Sequence, residues 1–261
     1  MKNPPPRILD LKRKGGGGMT KKTRAGAALL ALALLFGAAG RAVWSKRGAD
    51  AVSTAGEAQI EAPLIALTFD DGPRRSTTGQ LLDGLAQRGV PATFFLIGEQ
   101  LEGNEDLVLR MEREGHQVGI HTYGHALLTG LNRADFDAQV ERTRQMLGQI
   151  LGRSDFMLRP PYGLYDAGVR SMAGCPIILW SIDPEDWGDK NVERIVRHIL
   201  EQASDGAIIL LHDIYPTSVE AALRVVDELH ECGYLFVTVE QLFAAEGIAL
   251  ENGGVYCRVP Q

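Results

Sequence analysis

The sequence predicts an α/β fold, a TIM-barrel-like (β/α) barrel of about seven parallel strands, and two observations point there. Seven short apolar runs between Leu64 and Val239 alternate with helical patterns. That rhythm builds either an open doubly wound sheet or a barrel. Polar groups follow nearly every run, and a βα barrel collects such residues around one mouth at the C-terminal ends of its strands, which favours the barrel.

The runs are Leu64 to Phe69, Ala92 to Ile97, Gln117 to Ile120, Phe156 to Leu158, Ile177 to Trp180, Ala207 to Leu211 and Tyr234 to Val239. Most are short and continuously apolar, as strands buried on both faces are. Leu81, Leu82 and Leu85 mark a helix after the first run. Ala134 to Leu151, with Phe136, Val140 and Leu147 on one face, reads as one longer helix. The tail from Glu246 to Gln261, with Asn252-Gly253-Gly254 as its turn, reads as a closing hairpin.

Chemistry concentrates where the runs stop. The first ends in Asp70-Asp71-Gly72-Pro73, good turn chemistry in itself. Two adjacent acids at a strand end are costlier than one, however, unless a cation compensates. His121 and His125 stand four apart, a spacing that puts both imidazoles on one face of a helix, or in a loop if Gly124 breaks it. Two histidines by a glycine also suit a solvated turn, and a metal needs a third ligand. Hydrolytic zinc commonly takes two histidines, one carboxylate and a water, and Asp70 and Asp71 are the candidates. Arg159 suits a surface ion pair and His212 a polar strand cap, while Trp187 and Leu210 suit core positions. Asp183 reads as a strand-end cap, and His116, His198 and His230 as surface or helix residues.

The segments Thr68 to Pro73 (TFDDGP), His121 to His125 (HTYGH), Arg159 to Gly163 (RPPYG), Ser181 to Trp187 (SIDPEDW) and Leu210 to Asp213 (LLHD) together resemble, in this order, the five motifs of the polysaccharide deacetylase family. These are carbohydrate esterases of family 4 that include chitooligosaccharide and peptidoglycan deacetylases. The likeness spans roughly Leu64 to Phe243. It implies a deformed barrel and a divalent metal on Asp71, His121 and His125, usually Zn2+, with Co2+, Mn2+ or Fe2+ as alternatives. It implies Asp70 as general base, held by Arg159, and His212 as general acid, oriented by Asp186. Pro160, Tyr162, Trp187 and Leu210 would line the substrate site, with the Tyr162 N–H offered to the developing oxyanion. The implied reaction is removal of N-acetyl groups from an amino-sugar glycan of cell-wall or chitin type. The alternatives are an O-acetyl esterase of xylan type using the same site, and a non-catalytic glycan-binding barrel. One departure is Tyr215, where many relatives carry a second histidine.

The ends of the chain have their own character. Residues 1–24 are basic, and Gly15 to Gly18 directly before Met19 is what a purine-rich ribosome-binding sequence gives when read as codons, so residues 1–18 point to a start assigned upstream of Met19. Residues 25–44 are an Ala/Leu-rich segment, uncharged from Ala25 to Gly40, behind Lys21, Lys22 and Arg24, the pattern of an export signal or an uncleaved membrane anchor. Residues 45–59 are a polar linker, 60–245 the catalytic domain and 246–261 the tail. On this reading the domain faces away from the cytoplasm. Residues 48–261 hold 16 Lys or Arg against 32 Asp or Glu, a net charge of −16 that repels phosphate backbones and argues against a nucleic-acid partner. Three cysteines lack any zinc-ribbon spacing; a single Cys232–Cys257 bridge is the pairing an oxidising compartment would allow.

Overall fold

The computed structural model describes residues 62–260, so the basic N-terminus, the apolar segment and the linker lie outside the described residues. Seven strands occur in this region: β1 (Leu64–Asp70), β2 (Thr93–Leu96), β3 (Gln117–Ile120), β4 (Ile177–Ile178), β5 (Ala207–His212), β6 (Leu235–Val237) and β7 (Val255–Tyr256). All the ladders are parallel, in the order β3-β2-β1-β5, with β6 also on β1 and β4 paired to β7. Single bridges carry the wall onward, Ile120 to Leu158, Leu158 to Ile177, and Ile182 to Ile209. The result is a deformed (β/α) barrel, thinnest where one residue stands in for a strand.

Alternation along the strands sorts residues between two cores. Ile65, Leu67 and Phe69 of β1, Phe94 and Leu96 of β2, Val118 and Ile120 of β3, and Ile209 and Leu211 of β5 pack outward in one cluster with Leu81, Leu82 and Leu85 of α1 (Thr78–Arg88) and Val225 and Val226 of a long later helix. Ala66, Phe95, Met157, Ile178 and Ile208 form the inner cluster with Val239, Leu242 and Phe243. The Val239 N–H donates to Thr93 Oγ1, so this packing closes the end where the strands begin. The inner rows then climb toward the other end: Ala66, Thr68, Asp70 on β1; Gly119, His121 on and after β3; Met157, Arg159; Ile208, Leu210, His212 on β5. Polar residues therefore replace apolar ones along the same row just as the strands end.

The helices follow their sequence signals with one break. The expected helix over 134–151 is two, α3 (Glu105–Arg113) being followed by α4 (Arg133–Gln139) and α5 (Glu141–Leu151), with Val140 between them at φ −97°, ψ −52°. Phe136, Val140 and Leu147 are all buried, so the apolar stripe survives the break. The short 3₁₀ turn α2 (Gly98–Gln100) follows β2. After α6 (Ala167–Met172) come α7 (Val192–Gln202) and α8 (Pro216–Glu231), packed on each other, and α9 (Val239–Ala245). Asn132, Asp166, Asn191 and Thr238 cap their helices through side-chain oxygens.

Other expectations are corrected. Phe156 to Leu158 makes only a bridge at Leu158 because its neighbours on both sides are reached at one residue. The tail forms its turn, with the Gly254 N–H on Glu251 O, but no hairpin: Val255–Tyr256 instead pairs in parallel with β4, whose edge is open. His116 is a core residue, 5% exposed, with Nδ1 accepting the Ala92 N–H and its ring edge-on to Phe94. His198 and His230 lie on helices, as read. The Cys232–Cys257 bridge is not formed.

Candidate active site

The ladder between β1 and β5 sets the site, since its last rung pairs Asp70 with His212. Asp70 is buried, and its Oδ1 accepts from Arg159 Nη1 at 2.8 Å. Arg159 is wholly buried, and burying such a charge unpaired would cost several kcal/mol. Beyond Asp70 it donates to Thr68 Oγ1 at 2.8 Å, Ile178 O at 3.1 Å and Leu179 O at 3.0 Å. Its guanidinium carbon also lies 4.1 Å from the Phe95 ring centre. Burial lowers the Arg159 pKa, and the charge and hydrogen bond of Asp70 oppose that shift.

Asp71, His121 and His125 offer three ligand atoms within 4.8 Å of one another. Asp71 Oδ1 lies 3.6 Å from Nε2 of each histidine, and it is buried without a hydrogen-bond partner. A carboxylate oxygen left bare between two imidazole nitrogens fits a cation. His121 Nδ1 lies 2.7 Å from Arg159 O, so it donates there and leaves Nε2 as the lone-pair nitrogen facing Asp71. Two imidazoles and one carboxylate match the protein donor set of a catalytic divalent metal. The histidines reach the cage from a loop, not a helix, for residues 121–128 contain only turns.

Opposite Asp70, His212 Nδ1 sits 2.7 Å from Asp186 Oδ1. Asp186 is fully buried, and its Oδ2 accepts the His212 N–H at 2.9 Å and the Ser218 hydroxyl. Burial alone would lower the His212 pKa; the hydrogen bond and charge of Asp186, aided by Asp70 and Asp71, outweigh it and raise the value to about 9. The imidazole is therefore protonated at neutral pH, with Nε2 free to give a proton.

The remaining residues named from sequence fall around this centre. Pro160 is buried beside Arg159, and Leu210 lies one inward step below His212, 3% exposed. Tyr162 stands 62% exposed with its ring 4.8 Å from that of His125, and Trp187, next to Asp186, is 55% exposed on the rim. Asp183 is a cap, as read, accepting the Glu185 N–H at 2.8 Å. Tyr215 has its ring 6.4 Å from His212 and carries Lys190 Nζ 3.0 Å above its centre.

Sequence reasoning assigned no role to Thr68, Ser218 or Lys190, although each contacts a site group. Thr68 lies within the quoted motif, two residues before Asp70 and so on the same strand face, which is a usable signal. Ser218 carries no such mark. Among the described residues, the non-glycine residues at positive φ are Asp71 (74°), Thr122 (66°), His125 (56°), Tyr162 (63°) and Glu185 (54°). All five lie in loops at the mouth. Each conformation costs on the order of 1–3 kcal/mol and persists only where surrounding contacts enforce it, a cost that clusters at working sites.

A family model described as polysaccharide deacetylase matches residues 58–174. The chain is 34% identical to a chitooligosaccharide deacetylase of Sinorhizobium fredii over 69% of this chain and 92% of that protein. The chain belongs to the polysaccharide deacetylase family. It is also 42% identical to the peptidoglycan-N-acetylmuramic acid deacetylase PdaC of Bacillus subtilis over 69% of its own length, but spans only 38% of that protein. Among solved structures, a family 4 acetyl xylan esterase from Clostridium thermocellum in complex with a cobalt ion superimposes with a TM-score of 0.72 at 27% identity, covering 76% of this chain and all of that one. The family match contains Asp70, Asp71, His121, His125, Arg159 and Tyr162 but stops before Asp186 and His212. For those two residues the geometry carries the argument.

Proposed function

We propose that this domain is a metal-dependent hydrolase that removes N-acetyl groups from amino sugars of a peptidoglycan- or chitin-like glycan. The observation that carries the reading is a pair of proton-transfer groups on one ladder rung beside the metal cage: Asp70 held by Arg159, and His212 held by Asp186. A divalent metal on Asp71, His121 and His125 would supply Lewis-acid polarisation of the acetyl carbonyl and a more acidic water. Two nitrogens and one carboxylate suit Zn2+ best, with Co2+, Mn2+ or Fe2+ as possible occupants.

Asp70 takes the proton of the attacking water as that oxygen bonds to the carbonyl carbon, and Arg159 keeps its carboxylate aimed there. The Tyr162 N–H is offered to the oxyanion that develops. His212 then gives its Nε2 proton to the amide nitrogen as the C–N bond breaks, so the amine leaves neutral. An unprotonated amide nitrogen is a very poor leaving group, which explains why a strongly basic imidazole is retained opposite the base. Tyr162 and Trp187 supply apolar surface for a sugar ring at the rim, and Leu210 closes the floor under the acid.

The basic residues and apolar segment outside the described residues support placement beyond the cytoplasmic membrane, anchored or secreted, where such glycans lie. A second reading, an O-acetyl esterase, is favoured by the acetyl xylan esterase likeness. Acetate release from N-acetylglucosamine oligomers, peptidoglycan and acetylated xylan separates the two. Asp70→Asn should lower release by roughly 10²–10⁴-fold. Full activity in that variant would overturn the mechanism, whereas a wild type that releases no acetate from any of these glycans would favour a non-catalytic barrel.

A further inference from the structure

Asp213, the residue after the general acid, is buried beside the loop that carries Asp71, and nothing in the proposed chemistry uses it. It is 0% exposed, with Oδ2 accepting the Thr78 hydroxyl and Oδ1 lacking a hydrogen-bond partner among the described residues. A methyl group built on Gly72 would lie 2.4 Å from Asp213 Oδ2, 2.5 Å from Oδ1 and 2.7 Å from Cγ. The carboxylate therefore occupies the space of a side chain at 72 and presses on the main chain next to the ligand Asp71.

The same loop is tied on its other sides. Thr78 Oγ1 accepts the Arg74 N–H at 2.8 Å, Arg74 O accepts the N–H groups of Thr77 and Thr78, and Gly72 O accepts the Ile97 N–H at 2.9 Å. Because Asp70 and His212 share a rung, Asp71 and Asp213 leave the sheet from facing positions. Asp213 thus backs the loop at Gly72, and through Thr78 it is linked to the backbone of Arg74. An apolar residue could fill this volume without burying a carboxylate, so mere packing gives no reason for an acid here. We propose that Asp213 is a positioning residue that holds the Asp71 loop in its metal-binding geometry. This rests on reading Asp71, His121 and His125 as the metal cage.

The test titrates the purified, metal-free protein with Co2+ and reads the visible absorption band together with the dissociation constant. Wild type, Asp213→Ala, Asp213→Asn and Thr78→Val are compared, with thermal midpoints measured in parallel. The expected result is cobalt binding at least tenfold weaker in Asp213→Ala with an altered band, and rescue to within threefold by Asp213→Asn, which keeps the size and an acceptor for Thr78. A lowered midpoint with unchanged cobalt affinity and band would mean packing alone and overturn the proposal. If Asp213→Ala does not fold, Thr78→Val carries the same tenfold expectation, and wild-type affinity in that variant overturns the proposal equally. A wild type that takes up no cobalt fails differently, by removing the cage itself.

Discussion

At the scale of single residues, two histidines, His116 buried and His212 half-buried, are shifted in opposite directions, and each makes a separate prediction. His212 is raised to about 9 because Asp186 outweighs burial. In the proposed mechanism its protonated form is the working one, so the alkaline limb of kcat/KM should follow this group. Asp186→Asn removes the largest opposing charge and leaves only Asp70 and Asp71 against burial; the limb should then move down by more than one pH unit, and an unmoved limb would separate His212 from the acid step. His116 is lowered to about 4, chiefly by desolvation, while its unfolded value stays near 6.5. The unfolded chain binds that proton first, so the contribution to stability is complete above pH 6.5 and is lost as pH falls toward 4, up to about 3 kcal/mol in all. His116→Asn retains an acceptor for Ala92 N–H and should flatten the fall in Tm between pH 7 and 4; an unchanged slope would assign the acid sensitivity elsewhere. Asp70, Asp71, His121, His125, Arg159, Asp186 and His212 were legible because their identities and order carry a motif. His116 was not, because a lone histidine after Glu114-Gly115 looks solvated until β2 and β3 are paired and Ala92 N–H needs an acceptor.

At the scale of elements, the apolar runs were legible since continuous burial leaves few polar residues to obscure them, and six of the seven appear as strands. What could not be read was how short some would be, and that the tail would supply a strand to β4, because both depend on which edge lies open after the barrel has formed. The positive-φ loops escaped for a similar reason: local sequence disfavours them, and tertiary contacts override it. Gly119 shows how closely strand packing and site are joined. A methyl there would lie 2.6 Å from Phe95 Cδ1 and 3.1 Å from Met157 O, two residues before His121 on the same strand face. Gly119→Ala should lower stability by about 1–3 kcal/mol, the usual penalty of overpacking, and weaken metal binding with it. Denaturant unfolding and metal titration would check the pair; a stable variant with normal metal affinity would show that β3 can shift without cost.

At the scale of the whole molecule, the described residues 62–260 hold two core clusters and every residue given a part in the proposed reaction. A protein beginning at residue 58 should therefore fold and keep its acetate release on soluble oligomers within about twofold of the full chain, a factor worth less than 0.5 kcal/mol. A larger loss would give the preceding residues a part in the domain. The negative charge of residues 48–261 and the order of the motifs were plain from sequence; the approach of His212 to Asp71, His121 and His125 was not, since it joins residues more than 80 positions apart.

Arg159 joins the two halves of the centre through different parts of itself: its guanidinium grips Asp70 while its carbonyl receives His121. It sits one residue beyond Leu158, where the barrel wall is held by single bridges. A shift at this seam would carry Asp70 and His121 together, because both are tied to the one residue, and so would leave the spacing between the proposed base and the proposed metal ligand unaltered.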